Sequence, residues 1–100
     1  MSLEVEVEID GVKKVVKLKR IEYGEYTKIL QSVLKVEMIG ETPKSQFDII
    51  KFRHDVTKTC IENTDIDLDK LPVNVALLIE DKVFEYNELM TRGSFFQRGQ

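Results

Sequence analysis

The run VEVEIDGVKKVVKLKR, residues 5–20, constrains the fold more than any other stretch of the chain. Acidic and apolar residues alternate up to Asp10-Gly11, and apolar residues alternate with lysines after it. Asp-Gly between two alternating runs favours a two-residue type I′ turn, because both central positions of that turn need a positive φ. The predicted strands run from about Leu3 to Ile9 and from Val12 to about Arg20. A two-residue turn sets Ile9 opposite Val12, Val7 opposite Lys14, Val5 opposite Val16 and Leu3 opposite Leu18. The other face then pairs Glu8 with Lys13, Glu6 with Val15 and Glu4 with Lys17. One face is apolar and the other matched in charge across the strands, as a half-buried antiparallel pair requires. Lys14 on the apolar face and Val15 on the polar face are misfits that a bulge near the turn would repair.

Two strands alone are marginal in water, so Val5, Ile9, Val16 and Leu18 need helices to lie against. The spacing of Tyr26, Ile29, Leu30, Val33 and Leu34 predicts a first helix from about Gly24 to Gly40, with Gly40 as its closing residue. Thr42 as N-cap and Pro43 at the first helical position predict the start of a second helix, ending near Asn63. Its apolar stripe is Ile49, Phe52, Val56 and Cys60, widened by Phe47, Ile50 and Ile61. Pro72 opens a third helix, on which Ala76, Ile79, Val83, Tyr86 and Met90 recur at three-four spacing. Its first turns, VNVALLI, are apolar nearly all round, so they belong to the core or to a partner. The expectation is an α+β fold, an N-terminal antiparallel β-hairpin followed by three helices in the order ββααα. One domain spans residues 1–91, and residues 92–100 form a tail.

Charge and chemistry narrow the function. The net charge is −3, and between Ile61 and Met90 eight acids face only Lys70 and Lys82. Such a surface repels phosphate, which argues against nucleic acid; the basic cluster Lys13, Lys14, Lys17, Lys19 and Arg20 has acids opposite it. The single cysteine, Cys60, excludes an internal disulfide and fits a reducing compartment. No apolar run is long enough to span a bilayer, and the first residues lack the apolar core of a secretion signal. The expected location is the cytoplasm, without membrane contact.

DIDLDK, residues 65–70, begins like a calcium loop, but Lys70 stands where glycine is needed and Ala76 where a bidentate glutamate belongs. A solvated acidic loop with Ile66 and Leu68 tucked inward is the better reading. His54 and Cys60 are six positions apart on one helix and do not share a face, which removes a Cys/His nucleophile pair. Neither a serine elbow nor a phosphate-cradling glycine run is present. No catalytic residue, cofactor or metal is expected. The candidate protein-binding residues are Val73, Val75, Leu77 and Leu78 on the third helix, Val15 on the hairpin, and Phe95 and Phe96 near the C-terminus. One edge of the hairpin is also open to a strand from another chain.

VEVEIDGVKKVVKLKRIEYGEYTKIL, a two-helix middle and DKLPVNVALLIEDKVFEYNEL as a closing helix together resemble the tail assembly chaperones of long-tailed bacteriophages and prophages. The likeness covers roughly residues 4–90 and rests on element order and hydrophobic spacing. It implies a binding function: coating the aggregation-prone tape-measure protein and recruiting tail-tube subunits. That family often makes a longer second product by ribosomal frameshifting, and Phe95-Phe96 is compatible with a slippery run of T in the gene. The alternative is a generic adaptor that forms homo-oligomers, with the apolar start of the third helix as a symmetric interface.

Overall fold

The computed structural model describes residues 2–89. The fold is α+β, with an N-terminal hairpin, three α-helices and a second hairpin between the first two helices. Strands β1 (Leu3–Ile9) and β2 (Val12–Leu18) form the first hairpin. Asp10 and Gly11 both have positive φ, at 52° and 80°, as a type I′ turn demands. The register is the expected one throughout, from Ile9 with Val12 to Leu3 with Leu18. No bulge interrupts it. Lys14 is exposed although Val7 opposite it is buried, and Val15 lies on the solvent face.

Helix α1 (Tyr23–Val33) starts on a capping box in which Glu25 reaches back to the Glu22 N–H at 3.2 Å, satisfying a donor that the first turn leaves unpaired. It ends seven residues before Gly40. At Leu34 the backbone turns extended, and strands β3 (Leu34–Ile39) and β4 (Thr42–Phe47) form a second antiparallel hairpin. Gly40 has the left-handed φ expected of it, +65°, but it serves a two-residue hairpin turn rather than a helix end. Thr42 and Pro43 accordingly lie in a strand. Helix α2 (Ile49–Cys60) begins later, capped by Asp48, whose carboxylate accepts from the Lys51 N–H at 3.0 Å. The Asp48 N–H donates to the Val33 carbonyl at 3.1 Å, so the chain leaves α1 and enters α2 at the same place.

A short 3-10 turn, Leu68–Lys70, precedes helix α3 (Val73–Tyr86). Val5, Val7, Val16 and Leu18 pack with Val33 of α1, Phe52, Val56 and Cys60 of α2, and Val75, Ile79, Val83 and Phe84 of α3 in one core. Phe52 is its hinge point, with ring centroids of Tyr26, Phe47 and Phe84 at 5.9, 5.4 and 5.9 Å. Arg53 is buried beside it. Its Nε donates to Glu80 at 3.0 Å, its Nη2 to Asp81 at 2.9 Å, and its guanidinium sits 4.5 Å from the Phe84 ring centre. A buried cation with two carboxylates and an aromatic face is satisfied, and it ties α2 to α3.

Candidate protein-binding surface

The second hairpin forms an arm. Strand β3 touches the body at α1, and the base of the arm is held by Phe47 against Phe52. Beyond that base every residue of the two strands whose burial is described is exposed. The register sets Leu34 opposite Phe47, Val36 opposite Ser45 and Met38 opposite Pro43. Directly opposed residues share a face, so one side of the arm carries Leu34, Val36, Met38, Pro43, Ser45 and Phe47. That side is almost wholly apolar, and Val36 and Met38 are 67% and 64% exposed. An isolated two-stranded hairpin does not gain from showing such a face to water. The signal for it lay in the strict alternation LKVEM, residues 34–38, which helical spacing through Val33 and Leu34 obscured.

The expected surface on α3 divides in two. Val75 is buried in the core and is removed from the candidate surface, because it packs beneath the helix with Ile79. Leu77 is partly buried. Val73 and Leu78 are exposed, but they flank the core stripe rather than form a patch with Val75. Val15 is 46% exposed on the outer face of the first hairpin. Phe95 and Phe96, with the tail at residues 92–100, lie outside the described residues.

The two edges of the first sheet differ. Beyond β2, the chain after α2 runs alongside: the Lys19 N–H donates to the Cys60 carbonyl and the Glu62 N–H to the Lys17 carbonyl, both at 2.9 Å. Asn63 completes the seal, accepting from the Lys17 N–H at 2.7 Å and donating to the Val15 carbonyl at 3.2 Å. Beside β1, a cleft of about 490 Å³ lies between Leu3, Glu4, Val5 and Glu6 and the α3 residues Lys82, Glu85 and Tyr86.

The titratable groups knit the body together. His54 sits between two carboxylates, Nδ1 at 2.9 Å from Asp55 and Nε2 at 2.6 Å from Asp69. The Asp55 hydrogen bond first, and then that of Asp69, raises the imidazole pKa above its ordinary value. Lys51 holds Asp55 below the usual carboxylate range, and His54 does the same for Asp69. With both nitrogens donating, the imidazolium joins α2 to the acidic loop. Asp67 caps the 3-10 turn through the Asp69 N–H. Leu68 is buried and Ile66 packs against the core, so the loop is folded inward as its sequence suggested. Burial pushes the Cys60 thiol up to about 11. Among the described residues, no group of three or more His, Cys, Asp or Glu side chains is placed to hold a metal ion, and no helix is long and apolar enough to cross a membrane.

No known protein family, curated protein or solved structure matches this chain.

Proposed function

We propose that this chain is a non-enzymatic protein-binding domain whose binding element is the β3–β4 arm. The observation that carries the reading is the uncovered apolar face of Leu34, Val36, Met38 and Phe47 on a hairpin attached to an otherwise well-packed body. An exposed apolar strand face suits an amphipathic helix, which would lay its apolar stripe on the arm and leave its polar side in water. That is the task of a phage tail assembly chaperone: shielding exposed helical segments of a tape-measure protein in the host cytoplasm and bringing tail-tube subunits to it. Neither nucleic acid nor membrane enters this reading.

The test is co-expression with a tape-measure protein of a long-tailed phage, reading the fraction of that protein that stays soluble. Protection by the wild-type chain, lost in Val36→Asp and Met38→Asp but kept in Val15→Asp, is the expected result. Equal protection by all three variants overturns the arm as the binding element. No protection by the wild-type chain overturns the chaperone reading and leaves the adaptor reading, which the open edge of β3 favours.

A further inference from the structure

We infer that β3 is a dimerisation edge: two copies pair their β3 strands antiparallel about a two-fold axis at Val36, giving one four-stranded sheet in the order β4–β3–β3–β4. The inference deepens the reading above and rests on the arm being the binding element.

The geometry of the arm decides which main-chain groups are available. A two-residue turn makes Ile39 and Thr42 a hydrogen-bonded pair, and the pattern repeats every second residue to Val33 and Asp48, whose bond is 3.1 Å. The main-chain groups of Leu34, Val36 and Met38 therefore point away from β4. The Leu34 N–H is used, donating back to the Leu30 carbonyl at the end of α1. The Leu34 carbonyl and both groups of Val36 and Met38 remain for an added strand. On the opposite edge, Pro43 has no N–H to offer, which blunts β4 as a template. The contrast with β2 is direct, since the body seals that edge with its own Cys60–Asn63 segment.

Self-complementarity selects the occupant. Pairing centred on Val36 sets Val36 against its own counterpart and Leu34 against Met38 on the apolar face. Between them, positions 35 and 37 stand opposite each other, a lysine against a glutamate, twice across the axis. Centring the pair on position 35 instead opposes lysine to lysine, and centring it on position 37 opposes glutamate to glutamate, both unfavourable. Only the Val36 register matches the apolar face and the charges together. A closed two-fold pairing satisfies both copies and leaves no strand to propagate. It also lifts the arm from two strands to four, where a sheet with one apolar face becomes stable. The paired arms present one continuous apolar platform, wide enough for a helix to cross.

The experiment is cysteine cross-linking in the full chain. At a hydrogen-bonded antiparallel pair the Cα atoms are about 5.5 Å apart, within disulfide reach. Val36→Cys alone should give a covalent dimer on mild oxidation. Leu34→Cys alone and Met38→Cys alone should not, while an equal mixture of those two should. The native Cys60 is buried, with its thiol pKa pushed up to about 11, and the unsubstituted chain serves as its control. Lys35→Glu should weaken self-association about tenfold by light scattering, and K35E/E37K should recover it. A Val36→Cys chain that stays monomeric under oxidation, or cross-links no faster than Ser45→Cys, overturns the inference. If Val36→Cys stays monomeric while the tape-measure protein is still protected, only the dimer falls. If protection is also absent, the binding reading falls with it.

Discussion

The two hairpins are built alike and end differently. Each joins two antiparallel strands through a two-residue turn with glycine in the left-handed region, and each has one apolar face. In β1–β2 that face lies on α2 and α3, with Val16 and Leu18 wholly buried. In β3–β4 the equivalent face, Val36 and Met38, is open. The difference lies in what the connections allow. The first hairpin is followed by enough chain to fold three helices over it. The second is pinned at its root between the end of α1 and the cap of α2 by the Val33–Asp48 bond, and it projects from a body whose core is already filled. Strand pairing alone therefore makes a hairpin, but tertiary cover decides whether it is structure or surface.

A buried charge breaks that comparison most sharply. Val16→Asp places an unpaired carboxylate in the core and should cost roughly 4 kcal/mol or more, most of the stability of a small domain. Val36→Asp, at the corresponding kind of position on the arm, should change the stability of the monomer by no more than about 0.5 kcal/mol. Urea unfolding of both variants at a concentration where the chain is monomeric reads the contrast directly. If Val16→Asp stays folded, the first hairpin is surface as well.

The turns give a smaller and more local contrast. A Cβ at Gly11 or Gly40 would meet nothing within 4 Å, so only the backbone resists substitution, by about 1–2 kcal/mol at a left-handed position. Gly11→Ala should lower global stability by that amount, because β1 and β2 unfold with the core. Gly40→Ala should leave global unfolding unchanged and instead speed amide exchange at Lys35, Lys44 and Gln46. Loss of global stability in Gly40→Ala would mean that the arm folds as part of the body.

The smallest effect concerns pH and should appear in the body alone. His54 has a raised pKa in the folded state, so its contribution is full below the unfolded value of 6.5 and is lost as pH rises through the folded one. Asp55 and Asp69 have lowered values, so theirs is present above 3.8 and lost as pH falls through the folded ones. His54→Gln should therefore be less stable than the wild type between those limits, with the gap closing toward alkaline pH. Thermal unfolding from pH 4 to 9 measures it, and amide exchange in the arm should show no matching change between the two proteins. A gap that widens with rising pH would contradict the charged-imidazole arrangement.

Local chemistry was strongest where a short stretch carried its own instruction. Asp10-Gly11 with flanking alternation determined the first turn, its register and the face that had to be covered, because the turn type leaves one pairing and a period of two leaves one inner face. The stripe of Phe52, Val56 and Cys60 and the Ile79–Val83 stripe likewise determined which sides of α2 and α3 face inward. Residues 34–47 carried two readings at once. Leu34 continued a helical spacing and Thr42-Pro43 looked like a helix start, while Leu34, Val36 and Met38 alternated as a strand. The tertiary structure decided between them. Once Val33 is buried in the core and its carbonyl is taken by Asp48, continuing the helix would carry Val36 and Met38 past the end of the core. Pairing as a hairpin instead satisfies the backbone without needing cover. The same packing divided VNVALLI, taking Val75 and Ile79 inward and leaving Val73 and Leu78 outside, a choice set by where α3 meets β1 and α2 rather than by its own composition.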